Sequence, residues 1–492
     1  MNKSPSYILL ILVLGLTTTL NAQYFNKVFD FETGREYSSR IRSFGSNYLI
    51  SAGGSDTSGS EKLGYLVLNK DGNKLYQTLY PIPNALVRNG DLILLKDKDL
   101  LDFRTYQYWD SAGEFRSKSW LIKLNNKGDT LWTKFFSDST VHNLLSRTLI
   151  ETPDSGLMLI CSRNRNPDYD PIVIRTDKKG NELWRKAINT PGREVAYTII
   201  RHPNGDYYLG GGGNTGGTFR SWIARIDDSA KVKFEKRYHM TGGGSAALLS
   251  VLEDSNLIFG TDTFIYKQRD SYYKKQIIKV EPKRGDVIWR QIHDSVMQGV
   301  AYNKVIEGDS NELYVIGRHD NDGWTSYTLT RMTSTGDTVW KHNYFYEKID
   351  TENYLWDFIR TSDKGFIFCG DVNPDNSNQD VWVLKVDSNG CMSPECKSRV
   401  YDIRLGIDRT RAFDVNIKVF PNPVVDELHV SFTEKQNIAW HYQLIDQKGR
   451  VLKRGSLNPD DSQVDMKPLP TGVYLLQLES ELGYRVFRVV KE

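Results

Sequence analysis

Along nearly the whole chain, short apolar runs rich in β-branched and aromatic residues alternate with clusters of Gly, Asn, Asp and Lys, as in LMLIC (Leu157 to Cys161), IVIRT (Ile172 to Thr176), FIFC (Phe366 to Cys369) and VWVLKV (Val381 to Val386). Runs this short, apolar at every position or at alternate ones, are strands buried on both faces or on one. No long stretch carries the three- and four-residue spacing of an amphipathic helix. The fold class predicted is therefore all-β.

The pattern also repeats. WLIKLNNKGDTLWTKFF (Trp120 to Phe136), IVIRTDKKGNELWRKAI (Ile172 to Ile188), IIKVEPKRGDVIWRQI (Ile277 to Ile292) and LTRMTSTGDTVWKHNY (Leu329 to Tyr344) share an apolar strand, a polar turn and a strand opening near Trp. YLVLNKDGNKLYQTLY (Tyr65 to Tyr80) and WIARIDDSAKVKFEKRY (Trp222 to Tyr238) are degraded copies. The turn residues Gly72, Gly128, Gly180, Ala230, Gly285, Gly336 and Gly390 follow one another at steps of 56, 52, 50, 55, 51 and 54 residues, a period that marks a repeat architecture. Two further strands joined by a tight turn separate the copies, as in AYTIIRHPNGDYYLGGG (Ala196 to Gly212) and WDFIRTSDKGFIFCG (Trp356 to Gly370). Four strands per repeat make a propeller blade. Trp132, Trp184, Trp289 and Trp340 are then scaffold, large enough to pack between blades.

The last copy, VWVLKVDSNG (Val381 to Gly390), lacks its Trp strand, whereas YFNKVF (Tyr24 to Phe29) resembles LWTKFF (Leu131 to Phe136). Lending that N-terminal strand to the last blade closes a ring and leaves no edge exposed. The expectation is a seven-bladed β-propeller of four-stranded blades over 23–397. Its D-x-x-G-x-x-x-W spacing resembles the tryptophan-docking repeat of pyrroloquinoline-quinone-type propellers. That resemblance implies the fold and not the cofactor, because no quinone pocket or metal-ligand set can be placed here and those enzymes usually have eight blades.

After a polar linker, 398–412, the period stops. VNIKVFPNPVVDELHVSF (Val415 to Phe432), YQLIDQKGRVLKRG (Tyr442 to Gly455), LPTGVYLLQLES (Leu469 to Ser480) and YRVFRVVKE (Tyr484 to Glu492) predict a small immunoglobulin-like β-sandwich over 413–492. The Pro421-Asn422-Pro423 motif, the Asp446 to Arg450 hairpin, the strand with Gly472 and Tyr474 and the basic end at Lys491 together resemble the type A C-terminal sorting domain of Bacteroidetes type IX secretion cargo. The resemblance implies the type IX machinery as partner, and the outer-membrane surface or the extracellular space as destination. Lys3, the apolar stretch from Tyr7 to Leu16 and Asn21-Ala22 read as a signal peptide, 1–22, too short in its core to span a bilayer. Gln23 in place of Cys leaves no lipid-anchor motif, and no transmembrane segment is expected in the mature chain.

A net charge of +3 creates no field suited to nucleic acid or a charged membrane, so function must reside in local features. Cys391 and Cys396 are spaced to close a small disulfide loop; Cys161 and Cys369 sit in apolar strands as small hydrophobes. The turns HPNGD, DKKGN and TSDKG are short and stereotyped, whereas the connections between second and third strands vary, which makes their face the expected binding surface. It carries Tyr106, Tyr108, Trp109, Tyr169, Tyr272, Tyr273 and Trp324, rings suited to a glycan or protein ligand, although rings there also cover blade ends. Asp371, Asn373, Asp375 and Ser377 alternate as in a calcium loop but lack its glycine and its final acidic residue, so a solvated turn is the favoured reading and Ca2+ a weak candidate. HDNDG (His319 to Gly323) is weaker still, and GGGGNTGG (Gly210 to Gly217) reads as a flexible hairpin loop. The eight histidines form no metal spacing and no catalytic or cofactor motif is present, leaving the catalytic residues unknown. Carboxylates contributed by different blades leave no local motif, so a polysaccharide hydrolase or lyase stands as the alternative to a binding protein.

Overall fold

The structure, a computed structural model, describes residues 24–31, 35–55, 61–165, 168–188, 192–215, 218–238, 248–267, 270–296, 302–321, 324–344, 353–373, 379–392, 417–432, 440–446, 451–457, 462–480 and 483–492. The chain divides into two compact units, 1–401 and 402–492. Every regular element among the described residues is a β-strand.

Among the described residues of the first unit the strands form seven consecutive four-stranded antiparallel sets, the second and third joined into one sheet by a parallel pairing of Asn143 with Ser117. The first comprises Arg35–Phe44, Asn47–Ser55, Glu61–Leu68 and Lys74–Ile82. Five more follow over 85–136, 143–187, 193–238, 248–296 and 302–344. The seventh takes Asn353–Arg360, Phe366–Val372 and Asp380–Val386, and its fourth strand is Phe25–Phe29, paired antiparallel with Lys27 opposite Val383. The first strands of successive sets, Arg35–Phe44, Ala85–Leu94, Asn143–Glu151, Arg193–Arg201, Leu248–Val251, Tyr302–Glu307 and Asn353–Arg360, neighbour one another in order, and the last neighbours the first. The sets therefore close into a ring with their first strands innermost.

Turn chemistry explains the period. In the turn between third and fourth strands of the third set, the Asp177 carboxylate accepts the backbone N–H groups of Lys179 and Asn181 at 2.8 and 2.9 Å, and Gly180 takes φ +75°. Asn125, Asp227 and Asp387 fold their own turns in the same way. Each turn also receives an aromatic ring from the preceding set. A Cβ on Gly180 would lie 2.9 Å from the Trp132 ring; Gly336 and Gly390 meet Trp289 and Trp340 in the same way, and Gly72 meets Phe25 of the closing strand. A donor often accompanies the ring: Tyr80, Tyr238 and Tyr344 hydroxyls donate to the carbonyls of Gly128, Gly285 and Gly390, and Lys27 Nζ to that of Gly72 at 2.8 Å. Tyr76, at the Trp position of the degraded first copy, stays 49% exposed, and Tyr65 and Tyr80 fill that seam instead.

Six of the seven innermost strands carry a β-bulge, extruding Ser39, Asn89, Arg147, Tyr197, Asn303 and Trp356 from the ladder. A bulge pushes its strand toward the partner, and the partner answers with small residues: a Cβ on Gly370 would stand 1.7 Å from the Tyr354 carbonyl, and one on Gly211 1.9 Å from that of Val195. This corrects the expectation for GGGGNTGG. Gly210 to Thr215 belong to the strand Tyr207–Thr215, where the glycines admit a neighbouring backbone.

The second unit packs a three-stranded sheet (Ile417–Phe420, Glu427–Phe432, Ser462–Asp465) on a four-stranded one (Val451–Leu457, Trp440–Ile445, Gly472–Ser480, Gly483–Lys491). Leu428, Val430 and Val464 from one sheet and Trp440, Leu444, Leu476, Leu478 and Val489 from the other form one buried core. It is a two-layer β-sandwich.

Candidate functional site

The innermost strands carry two tiers of polar side chains. The lower tier is a belt of ion pairs. Arg40 and Arg42 reach Asp91 at 3.1 and 3.3 Å, Arg42 also reaches Asp357 at 2.5 Å, and Lys304 completes the belt at 2.8 Å from Asp357. Burial alone would raise the Asp357 carboxyl, but Lys304, Arg42 and Arg40 outweigh it and hold the group well below the usual carboxylate range. The belt ties the sixth, seventh, first and second sets together across the ring. It is structural chemistry: each of its three cations and two carboxylates has a partner within the protein.

The upper tier is built at the bulges. Each extruded residue falls outside the register of its own ladder, which frees its side chain from the strict alternation of the strand. Trp356 is 40% exposed and Tyr197 36%, unusual for large rings on innermost strands. Trp356 is nevertheless held firmly: its indole N–H donates to Asp371, and its ring stacks on Tyr354 with centroids 5.1 Å apart and planes 3° from parallel. Gln379 donates to the second Asp371 oxygen, and the Gln379 carbonyl accepts the Glu36 backbone N–H at 2.6 Å. Glu36 itself is buried, accepting the Phe31 N–H at 2.7 Å. Its carboxylate converges with those of Asp30 and Asp380 to within 4.8 Å. A fixed aromatic face and clustered acceptor oxygens thus adjoin at the seam where the closing strand meets the first set. Such an arrangement can stack a sugar ring, accept its hydroxyls and share a proton or a hard cation among carboxylates.

At the third and fourth sets the tier is cationic. Arg147 donates from Nε to Ser162 Oγ at 2.8 Å and lies over the Tyr197 ring, 5.3 Å from its centroid. Burial pulls its guanidinium below its ordinary value, offset only in part by Tyr197, Tyr169 and Cys161.

The residues singled out from sequence lie elsewhere or are differently occupied. The binding-face aromatics were expected on loops, yet they stand at strand ends: Tyr106, Tyr108 and Trp109 end Leu100–Trp109, Tyr169 lies in Asp168–Thr176, Tyr272 and Tyr273 in Asp270–Val280, and Trp324 opens Trp324–Met332. The alternating pattern continues through them, so the hairpins are tighter than their composition suggests. Tyr106 and Tyr108 are half-buried against each other and against Lys118, whereas Trp109 is 68% exposed beside Phe115. The side chains of Tyr272, Tyr273 and Trp324 lie outside the description. Of the calcium-loop candidates, Asp371 spends both oxygens on Trp356 and Gln379, Asn373 is half-buried, and Asp375 and Ser377 lie outside the described residues. Cys391 is disulfide-bonded and Cys161 and Cys369 are free and buried; Cys396, the expected partner, lies outside the described residues. Trp356, Tyr197 and Arg147 were missed. Their only trace in sequence is the position just before TII, TLI or DFI in copies of the first strand, a signal readable once the bulge is known.

In the second unit, Asn422 donates from Nδ2 to the Arg488 carbonyl at 2.7 Å and accepts the Val490 N–H at 2.8 Å, locking the Pro421-Asn422-Pro423 segment to the last strand. Val424 continues the pairing, bridging in parallel to Lys491. The Tyr474 hydroxyl donates to the Pro470 carbonyl at 2.6 Å, closing the turn before Gly472.

Residues 418–492 match the secretion system C-terminal sorting domain. The chain thus carries a tail that marks it for export to the cell surface or the extracellular space. No helix among the described residues is long and apolar enough to cross a membrane. No curated protein sequence matches the chain. Among solved structures, it is similar to the polysaccharide lyase Uly1 (10% identity, TM-score 0.45, covering 76% of this chain and 94% of that one). It is also similar to an α-L-arabinofuranosidase from Fusarium graminearum (11%, TM-score 0.43, 63% and 95%) and an α-L-arabinanase from Penicillium chrysogenum (9%, TM-score 0.41, 63% and 94%).

Proposed function

We propose that the first unit is a seven-bladed β-propeller that binds a carbohydrate at the axial end where the innermost strands begin. On this reading the immunoglobulin-like second unit is a type IX sorting tail that delivers it to the outside of a Bacteroidetes cell. One observation carries the binding site: the Trp356 indole, extruded at a bulge, is fixed by Asp371 and Tyr354 yet remains open to solvent. A pre-positioned aromatic face loses little entropy when a sugar ring stacks on it, and the carboxylates beside it match sugar hydroxyls. The outer rings, Trp109 above all, extend the same face for a longer chain. The test is binding of the secreted chain to a polysaccharide panel, where Trp356→Ala is expected to lose at least tenfold in affinity and Trp109→Ala clearly less. Unchanged binding in Trp356→Ala refutes the axial site.

A hydrolase or lyase reading draws on the Asp30, Glu36 and Asp380 cluster, whose carboxylates come from three segments and could serve acid–base chemistry. Release of new reducing ends or unsaturated sugars in the same panel, lost in Glu36→Gln, selects it over binding alone.

A further inference from the structure

Resting on that carbohydrate-binding reading, we infer that the ligand is acidic, and that Arg147 and Tyr197 form the subsite for the carboxylate or sulfate of one of its sugar units. Arg40, Arg42, Arg88, Lys304 and Arg360 also lie on innermost strands, and each is paired with a carboxylate: Asp91, Asp91 with Asp357, Glu61, Asp357 and Asp309. Arg147 is different. Its Nε is spent on a neutral hydroxyl, its face lies on the Tyr197 ring, and no described carboxylate pairs with it. The described groups in contact with it are Tyr197 and Ser162, neither of them charged at neutral pH.

A half-buried guanidinium without a counter-charge is costly unless something anionic completes it. Its two terminal nitrogens form the fork that matches a carboxylate or a sulfate ester in a bidentate contact, while the Tyr197 ring below restricts its rotation. The position agrees with this role. Arg147 and Tyr197 are the extruded residues of adjacent innermost strands, the same structural position from which Trp356 offers its ring. One backbone device, repeated around the axis, thus presents a stacking surface at one place and an oxyanion fork at another.

The experiment measures affinity of the full secreted chain for alginate, a uronate polymer, for dextran sulfate and for neutral dextran and arabinan, at fixed ionic strength. The proposal expects at least one acidic polymer to bind at least tenfold tighter than the neutral ones, a tenfold or greater loss for that polymer in Arg147→Gln, and partial recovery in Arg147→Lys, which keeps the charge without the fork. Thermal unfolding of each variant excludes misfolding. Preference for alginate assigns a carboxylate and preference for dextran sulfate a sulfate ester. Equal affinity for acidic and neutral polymers, or an Arg147→Gln chain that still discriminates between them, overturns this inference and leaves the carbohydrate site intact. Failure to bind any polymer overturns both readings.

Discussion

At the seams of the ring, a turn glycine receives an aromatic ring from the preceding sheet in one copy after another: Trp132 on Gly180, Trp289 on Gly336, Trp340 on Gly390, Phe25 on Gly72. At the innermost bulges the backbone recurs just as regularly, but the extruded residue changes from Arg147 to Tyr197 to Trp356. The difference separates two kinds of repetition. Where geometry and chemistry recur together, a single packing problem is being solved many times; where geometry recurs and chemistry does not, one backbone device places different groups at equivalent positions, which is what the proposed ligand site requires. The belt below the bulges belongs to the first kind in energetics, although it does not repeat, because its charges answer one another.

The largest effect that tests this division is expected at the belt. Asp357→Ala strands Lys304 and Arg42 without their shared carboxylate and should cost about 3–5 kcal/mol of unfolding free energy in urea titration. The same group sets an acid limit. Its carboxyl is held below its ordinary value of 3.8, so the unfolded chain takes up the proton first as pH falls. The belt's contribution is complete above about pH 5 and disappears as pH drops through the native-state value, and Asp357→Asn should flatten that part of the stability curve.

Next come the seams. Trp289→Ala empties the space against Gly336 and should cost about 3 kcal/mol, whereas Tyr76→Ala, at the same place in the degraded first copy, should cost under about 1 kcal/mol. Equal costs would show that ring docking does not hold the sets together. Tyr238→Phe removes one buried hydroxyl bond to the Gly285 carbonyl and should cost about 1 kcal/mol. The smallest stability change is expected at the bulge: Trp356→Ala should lower stability by under about 1 kcal/mol while abolishing most polysaccharide binding. If it destabilises as much as Trp289→Ala, the bulge ring is scaffold and the contrast fails.

Much of this was readable in the chain. Strand alternation, the spacing from Gly72 to Gly390 and the likeness of YFNKVF to LWTKFF are local patterns, and local patterns determined the strands, the turn types and the pairing of Phe25–Phe29 with Asp380–Val386. The sorting tail was legible for the same reason, since Pro421-Asn422-Pro423, Gly472 and Tyr474 act within one small sandwich. What the sequence by itself could not determine is which side chains meet. Asp380 converges on Asp30 and Glu36 from the far end of the first unit, and the belt joins residues more than two hundred positions apart. The extrusion of Trp356, Arg147 and Tyr197 depends on a one-residue register shift between paired strands, and a shift of one residue changes which face a side chain takes while leaving the hydrophobic pattern almost unchanged. Periodicity determined the ring; only the closed ring decided what its axis presents.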